Sequence, residues 1–285
     1  MSALSILVAA TGAPDDEAAI AVAADLAKSH ESVAVVVTFA PLPIGVAMPA
    51  FAGAGAAPMV WRGIEDRQEA IAARVEAVVG EQARRFGLAR RRGAGGALVK
   101  AAARDSGWAT LMGELPLADF TIVAQSSVAG EGPWTGPLGE ALMEARSPVY
   151  VARDGESSAG RPAAIAWDGS PEAGRAIRAA LPLLKQASEV AILQDPDGLD
   201  TDNDAGADPD RVNRYLLAHD VAAGAVIRVR GRRIGPTLVQ AATAFGAGLL
   251  VSGAYRHSRL GEAIFGGATR SFLTNAEGPH LLISH

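Results

Sequence analysis

Glycines and cationic side chains near the C-terminus form the part of the sequence best suited to hold a phosphate. Gly253, Gly266 and Gly267 lack side chains, so their backbone N–H groups can approach phosphate oxygens closely. Arg256 and His257 lie between these glycines and add cationic groups. The combination predicts an anion-binding turn. The alternative is that the glycines only shape turns and helix ends, with Arg256 on the surface.

A second candidate group lies further upstream, directly after an apolar run. Asp168, Gly169 and Ser170 follow residues 164–166, which read as a buried strand. Ligands of open α/β sheets bind beyond the carboxyl ends of strands, so Asp168 is placed to accept a hydrogen bond from a ribose or a base. The local alternative is helix capping, with Ser170 or Asp168 before Pro171 at the first helical position. The two roles are compatible.

Catalysis and metal binding are not predicted. His257 has only its sequence neighbour Ser258 beside it, which does not make a general-base arrangement. The Asp-rich run 200–206 lacks the glycine that a calcium loop needs at its sixth position, and Arg211 stands at the twelfth, where a bidentate Glu is required. Phosphate-loop, nucleophile-elbow and His-Glu-x-x-His signatures are absent from the sequence. We therefore expect no enzyme and no metal site.

The elements around these residues repeat along the chain. Residues 7–15 and 164–172 each read as a buried strand, a glycine turn and the start of a helix, and a second strand follows each helix. This strand–helix–strand spacing predicts parallel pairing. Each half also has one predicted amphipathic helix, at 64–88 in the first and at 210–218 in the second. Three further strands are predicted in each half. They lie at 97–103, 118–124 and 148–152 in the first half and at 226–229, 247–253 and 279–284 in the second.

Each copy therefore has five strands and about four helices. The predicted class is α/β, with two tandem doubly wound (Rossmann-like) domains, each a parallel sheet covered by helices on both faces. A Gly- and Ser-rich linker at 154–162 divides the chain into domains 1–153 and 161–285. Two loops are long, and we interpret 41–58 as a mobile flap and the acidic 195–210 as solvated filler. Arg228 and Arg230 share one strand face, which is typical of a protected edge strand.

Composition excludes several classes of function. The net charge of −5 disfavours nucleic-acid binding, although the second half outside the acidic loop has 13 basic against 7 acidic residues, which suits a small anion. The absence of cysteine fits a reducing compartment, and no signal peptide or apolar span long enough for a membrane is evident. We expect a cytoplasmic protein that binds neither nucleic acid nor membrane.

The segments 166–172 and 250–269 resemble the universal stress protein family. The resemblance is strong over 161–285 and fainter over 1–153. It implies strand order 3-2-1-4-5 in each domain, a nucleotide pocket at the carboxyl ends of strands 1 and 4, and pairing through strand 5. Many members bind ATP or AMP, and others bind no nucleotide.

The nucleotide-binding members share a Gly-two-Gly-nine-Gly-Ser/Thr pattern after strand 4. Gly253 and Gly266 match the first and third glycines, Arg256 replaces the second, Gly267 stands where Ser or Thr is expected, and Thr269 lies two residues late. Arg256 either blocks the phosphate space or grips a phosphate there. The first half lacks the pattern and has Thr11 in the place of Asp168, so its pocket is expected to be empty.

The resemblance implies a non-catalytic stress-response protein with ATP or AMP in the second domain. The alternatives are a nucleotide-free interaction or scaffold module and, third, a weak ATPase or nucleotide hydrolase. The halves are expected to form a pseudo-dimer through residues 149–152 and 281–284, since pairing removes two exposed edges. A homodimer is a further expectation.

Overall fold

The computed structural model describes residues 3–38, 57–93, 95–102, 107–129, 145–153, 157–196, 204–222, 224–254, 272–273 and 277–285. Five parallel strands in the first half have the order β3-β2-β1-β4-β5. They are β1 (Ser5–Ala10), β2 (Val33–Thr38), β3 (Ala97–Lys100), β4 (Phe120–Ala124) and β5 (Val149–Ala152).

The same order recurs in the second half as β8-β7-β6-β9-β10, again with parallel neighbours. These strands are β6 (Ala163–Ala166), β7 (Val190–Gln194), β8 (Val226–Arg228), β9 (Leu249–Gly253) and β10 (His280–Ser284). The predicted α/β class and the 3-2-1-4-5 order in each half are confirmed. The third strands are shorter than predicted, since β3 ends at Lys100 rather than at residue 103.

The two sets of strands join into one sheet of ten. β5 and β10 pair antiparallel, with Tyr150 opposite Leu282 and Val151 opposite Leu281. Both strands are buried along their whole length. The sheet is therefore mixed at this one seam, which lies at its centre.

Helices cover both faces of the sheet. In the first half they are α1 (Asp16–Ser29), α2 (Ala57–Phe86), α3 (Gly107–Glu114) and the single turn α4 (Gln125–Val128). In the second half the described helices are α5 (Pro171–Leu184), α6 (Asp204–Ala207), α7 (Pro209–Ala218) and α8 (Ile234–Ala244). The long predicted helix exists but begins at Ala57 rather than at residue 64. No helix in the ranges given above is long and apolar enough to cross a membrane.

Strand periodicity divides the core between the two faces. Ile6, Val8 and Ala10 of β1 pack on the face of α1 and α2, whereas Leu7 and Ala9 pack on the opposite face. Successive side chains of a strand point to opposite faces, and both faces are covered here, so the strands are almost continuously apolar. The second half follows the same rule.

One interpretation of a loop is wrong. The acidic segment 195–210 is not only solvated filler, because its end folds into α6 and buries Ala207. The Ala207 carbonyl accepts hydrogen bonds from Trp167 Nε1 at 3.0 Å and from Gln194 Nε2 at 2.7 Å. Two donors near the ends of β6 and β7 hold it against the sheet. Of the predicted flap at 41–58, residues 41–56 lie outside the described residues and the last two belong to α2.

The predicted edge strand is confirmed. β8 lies at the end of the sheet, and Arg228 and Arg230 are exposed while Val229 between them is buried. Charged side chains on the open side of an edge strand discourage pairing with another chain.

Candidate functional site

The site predicted in the second half lies where the strand order reverses. From β6 the chain proceeds outward to β7 and β8, and it then returns to β9 on the other side of β6. Ala166 of β6 is in register with Ser252 of β9, so the residues that follow each strand lie side by side. A crevice at such a reversal is the usual ligand site of open α/β sheets.

The turn after β6 is built from local hydrogen bonds. Asp168 Oδ1 accepts the Ser170 N–H at 2.9 Å, and Ser170 Oγ accepts the Ala173 N–H at 3.1 Å. Ser170 is therefore the N-cap of α5, with Pro171 in the first helical position, as predicted. Gly169 has a φ of +80°, a conformation that side chains rarely adopt.

Two of the predicted glycines are required by packing. A Cβ on Gly169 would lie 2.8 Å from Ala207 Cα, and one on Gly253 would lie 2.6 Å from the Ala173 backbone nitrogen. The first glycine lets α6 cover the turn, and the second lets the start of α5 approach the end of β9. These packing contacts explain why glycine stands at both positions, without reference to a ligand.

The structure brings part of the predicted site together. Asp168, Gly169 and Ser170 lie at the end of β6, and Gly253 at the end of β9 packs against the helix that they begin. The other predicted residues lie outside the described residues: Arg256, His257, Gly266, Gly267 and Thr269.

The equivalent turn of the first half is filled by its own carboxylates. Asp15 Oδ2 accepts the Ser126 N–H at 2.8 Å, and Oδ1 accepts the Ser126 hydroxyl at 2.5 Å. Asp16 Oδ2 accepts the Gly12 N–H at 2.5 Å. Backbone amides after β1 and after β4, which an anionic ligand would need, are thereby occupied from within the chain.

Asp16 is held in an unusual environment. Its side chain is buried, and burial raises its pKa from 3.8 to about 6, although the backbone N–H groups of the turn act in the opposite direction. Its Oδ1 is buried and has no hydrogen-bond partner among the described residues. Ile71 packs on Gly12, and Arg74 Nη1 donates to the Gly12 carbonyl at 3.2 Å, so α2 closes the turn from above.

In the second half, the positions that match Asp15 and Asp16 have different residues and different contacts. Glu172 corresponds to Asp15, and its Oε1 pairs with Arg175 Nη2 at 2.6 Å. Arg175 Nε also donates to the His285 carbonyl at 2.6 Å, which fixes the pair on α5. Ala173 stands where the first half has Asp16. The carboxylates that fill the first turn are therefore either neutralised or missing in the second.

Sequence reasoning did not identify Asp15 and Asp16 as pocket-filling residues. Acidic residues in the first turn of a helix are ordinary, because they interact favourably with its amino end. The contact that distinguishes Asp15 reaches Ser126, which is 111 positions away. No local signal in the sequence reports it.

The fold defines the chain as a doubly wound α/β protein, and the comparison with known families is consistent with this class. Residues 161–284, in the second half of the chain, match the model of the universal stress protein family. The described residues contain no group of three or more His, Cys, Asp or Glu side chains able to hold a metal ion.

Solved structures extend the similarity of fold to the whole chain. A universal stress protein from Archaeoglobus fulgidus is 14% identical with a TM-score of 0.68, over 99% of this chain and 96% of that one. A functionally unknown protein from Pseudomonas aeruginosa is 13% identical with a TM-score of 0.52, over 99% and 92% of the two chains. At these identities the comparison establishes the fold. No curated protein matches the sequence.

Proposed function

We propose that the protein is a non-catalytic universal stress protein that binds one adenine nucleotide, ATP or AMP, in its second half. The observation that carries the proposal is the contrast between the two turns. In the first half, Asp15 and Asp16 occupy the backbone amides, whereas in the second half Glu172 pairs with Arg175 and Ala173 has no charge. At these two positions an anion in the second half therefore has no carboxylate to displace, and the carboxylate of that turn is Asp168, which accepts the Ser170 N–H.

Asp168 is the residue to which we assign nucleotide recognition. It is half-buried at the reversal between β6 and β9, and its Oδ1 accepts the Ser170 N–H. A carboxylate at this position suits the donors of a ribose or an adenine. The phosphates would extend toward Gly253 and the stretch after it, where Arg256, His257, Gly266, Gly267 and Thr269 stand in the sequence.

A second candidate function is a nucleotide-free interaction module. It is favoured by the packing of Gly169 under Ala207 and of Gly253 against Ala173, because packing alone then explains why glycine stands at both positions. In that case the paired halves are themselves the functional unit, with the β5–β10 seam as its centre.

Titration calorimetry of the full chain with ATP separates the two candidates. We expect one site per chain, and we expect Asp168→Asn to weaken binding about tenfold. The reason is that a charge-assisted hydrogen bond contributes about 1.5–3 kcal/mol, against about 0.5–1.5 for a neutral one. Asparagine keeps an oxygen for the Ser170 N–H, so the turn stays intact.

The matched control is Thr11→Ala, at the equivalent position of the first half, which should leave ATP affinity unchanged. Mass spectrometry of small molecules released from freshly purified protein gives an independent test. No bound nucleotide and no heat of ATP binding would favour the interaction module.

A further inference from the structure

The helices that follow the first and second strands are arranged differently in the two halves. α1 and α2 pack side by side, whereas α5 and α7 touch at few points. α2 spans 30 residues and places Ile71 on the first turn, but α7 has 10 residues and begins only after α6 has covered Gly169. Between α5 and α7 there remains an open groove with a volume of about 240 Å³.

The groove has an apolar floor and aromatic walls. Ile177 and Val212 are buried beneath it, and Trp167 and Tyr215 line it from the sheet end and from α7. The indole is fixed by the hydrogen bond from Nε1 to the Ala207 carbonyl, and the Tyr215 ring packs on His219 with 4.5 Å between centroids. Flat, preorganised walls of this kind suit a planar ring.

Two guanidinium groups border the same groove. Arg178 lies over Gly174, with its Nη1 at 3.6 Å from where a Cβ of that glycine would be. Arg211 borders the opposite side and donates from Nη1 to the Gly206 carbonyl at 3.2 Å. Two acidic side chains of the described residues near the groove contact other groups: Glu172 pairs with Arg175, and Asp208 accepts the Asp210 N–H and faces Arg214 at 3.9 Å.

We propose that the groove between α5 and α7 binds a small planar aromatic carboxylate. The ring would lie on the floor between Trp167 and Tyr215, and the carboxylate would meet the Arg178 guanidinium at the border. Guanidinium groups match carboxylates in shape as well as in charge, which sets an acid apart from its neutral analogues. The inference does not depend on nucleotide binding, since it uses the groove between the helices rather than the reversal between β6 and β9.

Saturation-transfer NMR on the full chain, followed by calorimetric titration, tests the proposal with benzoate, phenylacetate and indole-3-acetate. The matched controls are their neutral amides. We expect at least one carboxylate to bind about fivefold more tightly than its amide, as one exposed charge contact allows. Saturating ATP should leave this affinity unchanged, and competition by ATP would overturn the assignment.

The decisive variant is Arg178→Gln, which changes an exposed side chain and leaves the floor of the groove intact. It should lower carboxylate affinity about fivefold. Arg214→Gln, on α7 but outside the groove, serves as the control and should have no effect. Failure of all three carboxylates to bind, equal affinity for acid and amide, or an unchanged affinity in Arg178→Gln would each overturn the proposal.

Discussion

Two adjacent acidic residues distinguish the turns of the two halves. Asp15 and Asp16 of the first half place carboxylate oxygens on backbone amides, at 2.8 Å from Ser126 N and 2.5 Å from Gly12 N. A bound phosphate would have to displace both carboxylates from these donors. The second half has Glu172 and Ala173 at these positions, and Arg175 keeps the glutamate on the helix. The proposed difference in anion binding between the two halves therefore depends on few substitutions at one turn.

Burial of Asp16 has a consequence for the pH dependence of stability. Its pKa is raised from 3.8 to about 6, so between these values the native state binds more protons than the unfolded state. Stability should consequently fall as the pH rises from about 4 to 6, and the ionised carboxylate costs about 2–3 kcal/mol at pH 7. Asp16→Asn should remove this dependence and stabilise the protein at pH 7, because its oxygen can still accept the Gly12 N–H.

Urea unfolding at pH 5 and pH 7.5 measures this effect. Glu17→Gln, on the exposed side of the same helical turn, should retain the pH response of the wild type. An Asp16→Asn variant with the same pH response as the wild type would contradict the assignment.

At the scale of elements, close approach between α5 and the end of β9 organises the second half. The first turn of α5 lies so near β9 that a Cβ on Gly253 would come within 2.6 Å of Ala173 N and 3.0 Å of the Glu172 carbonyl carbon. The obstructing atoms are mainly backbone, which a side-chain rotation cannot move. The position of α5 therefore depends on the absence of a side chain at Gly253.

Gly253→Ala should accordingly destabilise the protein by about 1–3 kcal/mol, the usual range for overpacking. Gly80→Ala in the interior of α2 is the matched control, because its added Cβ meets nothing within 4 Å. That variant should be stabilised by up to about 1 kcal/mol, through helix propensity. Urea midpoints measure both changes, and equal stability of Gly253→Ala and wild type would show that α5 can shift.

At the scale of the whole molecule, a buried arginine joins the two halves beside the β5–β10 seam. Arg153 is 1% exposed and donates from Nη2 to the Phe272 carbonyl at 2.7 Å and from Nη1 to the Pro279 carbonyl at 2.5 Å. Its Nε donates to Gln125 Oε1 at 3.2 Å, and Gln125 Nε2 donates to the Leu273 carbonyl. Burial lowers the pKa of Arg153 to about 10, which leaves it charged at neutral pH.

Loss of this arginine should weaken the coupling between the halves. Arg153→Ala leaves two buried carbonyls without donors and opens a cavity, so we expect a loss of about 3 kcal/mol or more. We expect chemical unfolding to be a single transition in the wild type and to separate into two transitions in the variant, one for each half. Arg67→Ala, exposed on α2, is the control and should unfold like the wild type. A single transition at the wild-type midpoint in Arg153→Ala would contradict the coupling.

The sequence by itself determined the features that depend on neighbours in the chain. Continuous apolar runs predicted the buried parallel strands, the Ser170-Pro171 pair predicted the start of α5, and the alternation of Arg228 and Arg230 around Val229 predicted an edge strand. Periodicity and capping are set within a few residues, so they can be recognised without knowledge of the fold.

Tertiary structure decided the contacts between distant parts of the chain. Asp15 meets Ser126, Arg153 meets the Phe272 carbonyl, and Ala207 covers Gly169, across separations of 111, 119 and 38 positions. These residues are ordinary in their local context, where a first-turn aspartate, an arginine after a strand and an alanine in a loop need no partner. Their roles arise because parallel strands bring the loops at their carboxyl ends together and because β5 meets β10, and no local pattern records which distant residues will then be in contact.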